Sequence, residues 1–206
     1  MKAPIGVILA GGLATRMGGG DKGLLDLGGQ SVLARVIERL TPQVSELVLN
    51  ANGDASRFSE IGLPVVPDTI EGFAGPLAGV LAGMDWAGER GADTIVTAAA
   101  DTPFFPRDLV RRFQQDTRDM RHPLTLAATP DPKRGTARQP TFGLWPVALR
   151  HDLRAALTEG LRKVVLWTEM HDGRETVFDN TDANPFFNIN TPDDLAWAHG
   201  LLERVT

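Results

Sequence analysis

The chain predicts a single α/β domain with a mainly parallel sheet and helices on both faces. Short apolar runs alternate with amphipathic stretches of helical period, the pattern of such a layered fold. Its 206 residues suit one domain with a full core and leave little room for a second. No internal repeat, low-complexity tract or linker divides them.

Ile5–Leu9 reads as a buried first strand, and a glycine-rich stretch follows it. Ser31 then caps a helix whose apolar positions Val32, Leu33, Val36, Ile37 and Leu40 fall on one stripe. Glu46–Asn50 is the second strand and Leu63–Val66 a short third, with Pro64 arguing for an edge or a strand start. Pro76–Trp86 predicts a helix with its proline in the first turn. Thr94–Ala100 is the next strand, ending at Asp101. Pro106 opens a helix that carries Leu109, Val110 and Phe113 inward, and Leu124–Ala128 is again a strand. The polar segment Thr129–Gln139, with two prolines and three basic residues, predicts a loop. Thr141–Trp145 resumes a strand and Val147–Glu159 a helix. Near the end, Thr191 as cap, Pro192 behind it and Asp193 and Asp194 at the positive dipole end mark a last helix start.

Composition narrows the function. A formal net charge of -5 offers no global basic field to recruit nucleic acid or an anionic membrane. The absence of cysteine excludes disulfides and thiolate metal sites. The apolar run at the N-terminus is too short for a signal peptide or a membrane span, so the cytoplasm is the expected compartment. His122, His151, His171 and His199 show no metal-ligand spacing, and no serine sits in a nucleophile motif.

The glycine-rich stretch is the most informative segment. Glycine occupies positions 11, 12, 18, 19, 20 and 23, with Arg16 and Lys22 among them. Bare backbone N–H groups can approach a polyphosphate closely, and two cations add charge where phosphates repel one another. A flexible loop is the plainer alternative. Neither Gly-x-x-x-x-Gly-Lys-Ser/Thr nor a Gly-x-Gly-x-x-Gly directly after the strand is present. Asp101, at the carboxyl end of a strand in Ala-Ala-Ala-Asp-Thr-Pro, can hold Mg²⁺ with substrate phosphates, or cap the turn before Pro103. Asn50 and Asp68 also stand at strand ends, the expected wall of a nucleotide pocket, although turn chemistry explains both equally well. In Phe187-Asn188-Ile189-Asn190, two Asn side chains alternate to one side just before the last helix cap.

The run Leu9-Ala10-Gly11-Gly12 through Arg16, Met17, Gly18 and Lys22 resembles the signature Leu-Ala-Gly-Gly-x-x-x-Arg-Met-Gly-x-x-x-Lys of nucleotidyltransferases. Its ending, Asp21-Lys22-Gly23-Leu24-Leu25, is most similar to the molybdenum cofactor guanylyltransferases, as is Gly75-Pro-Leu-Ala-Gly79. The resemblance runs from Ile5 to about Val110 and returns at Asn188–Leu195. It implies a Rossmann-like nucleotidyltransferase domain that transfers GMP from GTP to the terminal phosphate of molybdenum-molybdopterin. Residues 1–110 would bind GTP and Mg²⁺, and residues 111–206 the acceptor. Arg16, Lys22 and Asp101 would be catalytic. Leu9, Ala10, Gly11, Gly12, Lys22, Asn50, Asp68, Gly79 and Asp101 would bind GTP, and Asp101 and Asn190 the metal. Other molybdenum cofactor biosynthesis proteins or target-enzyme chaperones would be protein partners, with no nucleic acid or membrane involved. Arg134, Arg138, Arg162 and Lys163 could meet the acceptor, or form a solvated charged face. The alternatives are a molybdopterin cytidylyltransferase, a sugar-1-phosphate nucleotidyltransferase, or a GTP-binding module without catalysis. Cytidylyltransferases more often show Ala-Ala-Gly and Asn-Lys where this chain has Ala10-Gly11-Gly12 and Asp21-Lys22.

Overall fold

A computed structural model describes residues 2–11, 22–70, 72, 75–180 and 184–205. Gly12 and Arg16, both expected in the phosphate-binding stretch, lie outside the described residues. The strands are β1 (Ile5–Leu9), β2 (Glu46–Asn50), β3 (Val65–Val66), β4 (Thr94–Ala99), β5 (Thr125–Asp131), β6 (Gly135–Pro146) and β7 (Arg174–Val177). They form one seven-stranded sheet in the order β3-β2-β1-β4-β6-β5-β7. All neighbours pair in parallel except β6, which is antiparallel to both β4 and β5. Six strands therefore end on the same edge of the sheet, and the β5–β6 hairpin turns at that edge too.

The helices are α1 (Val32–Leu40), α2 (Pro76–Gly88), α3 (Leu109–Asp116), α4 (Arg150–Thr158), α5 (Val164–Met170) and α6 (Pro192–Val205). Strand alternation sorts the core onto two faces. Ile8, Val96 and Ala98 point to the side of α1 and α3, where they meet Leu33, Val36 and Phe113. Val7, Val48 and Ile95 point to the other side, against Val80 and Met84 of α2, with Leu153 and Trp167 in the same cluster. α2 is buried nearly all round because it lies between the sheet and α4. Two helix starts follow their sequence signals: Ser31 Oγ accepts from Ala34 N at 3.1 Å, and Thr191 Oγ1 from Asp194 N at 3.1 Å. Among the described residues no helix is long and apolar enough to cross a membrane.

Several elements depart from expectation or go unpredicted. The third helix begins at Leu109 rather than at Pro106, because Gln43 Oε1 takes the Val110 N–H at 3.1 Å and the residues before it form turns. The predicted loop 129–139 is mostly hairpin: β5 runs to Asp131, β6 starts at Gly135, and only 132–134 make the turn. Asp131 Oδ1 accepts from both Lys133 N and Arg134 N at 2.9 Å, a local device that closes the turn. Farther along, Thr136 and Arg138 bond the carboxylate of Glu175 on β7. Such partners offset the polarity that makes the segment read as a loop. α5 and β7 carry no local signal strong enough to predict; their seven and four residues are held by burial of Trp167 and Thr176.

Candidate active site

At the carboxyl edge of the sheet, β1 ends between β2 and β4. Leu9 stands in register with Asn50 on one side and Ala99 on the other. The ladder continues one step further, through Ala10 N to Asn50 O at 2.8 Å and Ala100 N to Leu9 O at 3.1 Å. Beyond it a small cavity of about 60 Å³ is lined by Leu9, Ala10, Gly11, Lys22, Ala100 and Asp101, among others. The strand ends and the apolar Leu33 and Phe58 line much of it, and its charged groups are one cation and one carboxylate.

Lys22 opens a short 3-10 turn, and Gly23 lets that turn press inward. A Cβ at Gly23 would lie 3.2 Å from Leu33 Cβ and 3.5 Å from Ala100 O, so the backbone approaches both α1 and the end of β4 closely. The Lys22 ammonium then reaches Asn190 Oδ1 at 2.5 Å and lies 4.0 Å from Asp101 Oδ2. Both charged side chains are about four-fifths buried, with 19% and 21% exposure. Burial pushes the Asp101 carboxyl above the usual carboxylate range, while Lys22, Thr102 and Asn188 pull it the other way. Asn190 reaches this place because Ile189 N bonds Asp101 O at 2.9 Å and because the α6 cap fixes its backbone. In that cap, Asp194 Oδ2 accepts from Asn190 N at 2.9 Å and Thr191 N at 2.8 Å.

A second polar cluster forms at the ends of β2 and β3, two and three strand positions from β4, or about 10–15 Å at ordinary strand spacing. Asn50, only 4% exposed, donates through Nδ2 to Val66 O at 3.1 Å and Asp68 Oδ1 at 3.0 Å. Asn52 Nδ2 donates to Asp68 Oδ2 at 2.8 Å, and Asp68 N returns a bond to Asn52 Oδ1 at 2.8 Å. Gly79 has a structural reason here: a Cβ on it would fall 2.2 Å from Asn50 Oδ1 and 2.8 Å from Leu9 Cδ2. Only glycine lets α2 pack this closely on the strand ends.

The structure thus brings Leu9, Ala10, Gly11, Lys22, Asp101 and Asn190 to one place, and Asn50, Asp68 and Gly79 beside it. Asn52 and Asn188, which complete the two carboxylate environments, go unassigned from sequence alone. Each stands two residues from an Asn that is singled out, and that i, i+2 spacing is the signal for both. The basic residues of the second half do not line this cavity. Arg138 is bound inward to Glu175 at 2.5 Å and Glu169 at 2.6 Å, and Arg162 bonds the carbonyls of Leu157 and Leu161. Asp101 and Asn190 supply hard oxygens facing a common cation, a donor set that fits Mg²⁺ completed by phosphates and water. Among the described residues there is no cluster of three or more His, Cys, Asp or Glu side chains suited to a metal.

Comparison with known proteins gives the site a context. The family pattern described as MobA-like NTP transferase domain matches residues 6–172. The chain is 50% identical to a molybdenum cofactor guanylyltransferase of Mesorhizobium japonicum, covering 98% of this chain and 97% of that one. It is 46% identical to a protein of the same name from Cereibacter sphaeroides, over 97% of each. Among solved structures, molybdopterin-guanine dinucleotide biosynthesis protein A of Archaeoglobus fulgidus superposes with a TM-score of 0.72 at 20% identity, over 97% of this chain and 99% of that one. A 4-diphosphocytidyl-2C-methyl-D-erythritol synthase of Anaerococcus prevotii superposes with a TM-score of 0.75 at 15% identity, over 98% and 97%. At such identities the two structures speak for the fold.

Proposed function

The chain belongs to the MobA-like NTP transferase family and is a nucleotidyltransferase, and we propose that it transfers GMP from GTP to the terminal phosphate of molybdenum-molybdopterin. The products are molybdopterin guanine dinucleotide and pyrophosphate. The observation that carries the reading is the convergence of Lys22, Asp101 and Asn190 beside the end of β1. A carboxylate cluster of different character stands within a nucleotide's length of it.

The chemistry needs no protein nucleophile. An oxygen of the acceptor phosphate bonds to the α-phosphorus, the bond from that phosphorus to the α–β bridging oxygen breaks, and pyrophosphate leaves with the electron pair. Lys22 donates to phosphate oxygens and offsets the charge that gathers on the leaving group. Backbone N–H groups at Gly11 and Gly12 hold the triphosphate, and Arg16 adds a second cation; the Ala10 N–H is already spent on Asn50 O. Asp101 and Asn190 would hold Mg²⁺, which when bound supplies Lewis-acid polarisation of the phosphates. Asp68 reads guanine: an ionised carboxylate offers about four lone-pair sites, and Asn50 and Asn52 use two. The N1–H and N2–H₂ donors of guanine suit the remainder. Gly79 keeps α2 close enough for Asn50 to hold that carboxylate in place. The reaction belongs where GTP is available, in the cytoplasm.

Pyrophosphate release from GTP, CTP, ATP and UTP, each with and without molybdopterin, tests the proposal. Turnover should require GTP and the acceptor together. Equal or faster turnover with CTP would replace this reading with the cytidylyltransferase one.

A further inference from the structure

Lys22 and a divalent cation address the same two oxygens. The ammonium sits 2.5 Å from Asn190 Oδ1 and 4.0 Å from Asp101 Oδ2, between the two groups that the proposed reaction assigns to the metal. Both side chains of the ion pair are about four-fifths buried, so water screens the repulsion between an ammonium and a second cation poorly there. The two positive charges cannot share the position.

Resting on the reading of Asp101 and Asn190 as metal ligands, we infer that Lys22 is a built-in competitor for the divalent-cation site, released by the triphosphate. The buried Asp101 carboxylate needs a positive partner, and Lys22 supplies one from within the chain. The backbone of Lys22 is anchored, since Gly23 packs against Leu33 and Ala100. The four-carbon stem leaves the ammonium free to swing from that anchor. Its alternative partners are the phosphate oxygens of a nucleotide lying along Leu9–Gly11. When Lys22 moves to them, Asp101 and Asn190 open to the divalent cation, and one ammonium is exchanged for one metal at the same carboxylate. Metal and nucleotide therefore bind with positive coupling, and the coupling is reciprocal. A metal entering alone must first displace Lys22 with nothing to receive it.

The test uses Mn²⁺ alone as probe, titrated onto the full-length protein without nucleotide and followed by electron paramagnetic resonance. Lys22→Ala should bind Mn²⁺ at least about tenfold more tightly than wild type, a gain of about 1.4 kcal/mol. Lys22→Met, which keeps the stem and removes the charge, should behave alike, and thermal melts confirm that each variant is folded. Adding Asp101→Asn to either variant should abolish the gain. In wild type, Mn²⁺ alone should also raise the rate at which acetic anhydride labels the Lys22 amine. Unchanged or weaker Mn²⁺ binding in folded Lys22→Ala and Lys22→Met would overturn the inference and leave the proposed reaction standing. Tighter binding that survives Asp101→Asn would place the metal elsewhere and overturn the assignment of Asp101 itself.

Discussion

Asp101 and Asp68 stand at the same sheet edge, three strand positions apart, yet their carboxylates are held by different means. Asp101 is partnered by an ammonium and by residues of the distant C-terminal segment; the Lys22–Asn190 bond alone spans 168 residues. Asp68 is partnered by two amides, Asn50 and Asn52, from the neighbouring strand end. A charged partner sets up an exchange of cations, which suits the handling of phosphates. Amide partners fix a carboxylate's orientation without neutralising it, which suits the reading of hydrogen-bond donors on a base. On the proposed reaction, phosphate chemistry and base selection would be divided between two clusters, with the end of β1 between them.

The division can be broken most forcefully at Asp101. Asp101→Ala should lower turnover on the order of 10²–10³-fold with the fold retained by circular dichroism, for every nucleotide alike. Normal metal-dependent turnover in a folded variant would remove Asp101 from the chemistry. Asp68→Asn should act differently. It turns an acceptor into a donor facing the donors of guanine, at about 1–3 kcal/mol per unpaired group, or roughly 10- to 100-fold in the kcat/KM ratio of GTP over ATP. If this variant instead loses GTP and ATP turnover in equal proportion, the two clusters do not divide the work.

Two smaller effects sharpen the contrast. Gly79→Ala places a methyl group 2.2 Å from Asn50 Oδ1, and overpacking of this kind costs about 1–3 kcal/mol. Urea melts should register the loss, and the KM for GTP should rise as Asn50 is pushed off Asp68. At the other cluster, burial holds the Asp101 carboxyl above its ordinary value of 3.8. A group with a raised folded pKa contributes stability below its unfolded value and loses that stability as pH climbs through its folded one. Ionised Asp101 therefore destabilises the fold at neutral pH. Asp101→Asn should melt above wild type at pH 7, and the difference should vanish as the pH falls to the unfolded value and below. A variant that melts below wild type at pH 7 would show that the Lys22 pairing outweighs burial.

Elements whose signals are local were legible in the chain. β1 and β2 have the bounds their apolar runs imply, and α1 and α6 start at the residues whose side chains can cap them. The hairpin arm at 129–139 was not legible, because its polar residues find partners on β7 and α5 rather than nearby. The late start of α3 has the same origin in a distant side chain, Gln43. The site followed suit. Motif residues could be named one by one, but the bridge from Lys22 to Asn190 depends on where α6 docks. The reason for Gly79 lies in the depth to which Asn50 is buried on the adjacent strand.

Crystals grown with GTP and Mn²⁺, and no acceptor, would locate the metal by its anomalous signal. The manganese peak should lie beside Asp101 and Asn190, with Lys22 moved onto the phosphates and the guanine edge against Asp68. A peak away from Asp101, with Lys22 still bridging to Asn190, would contradict the metal assignment.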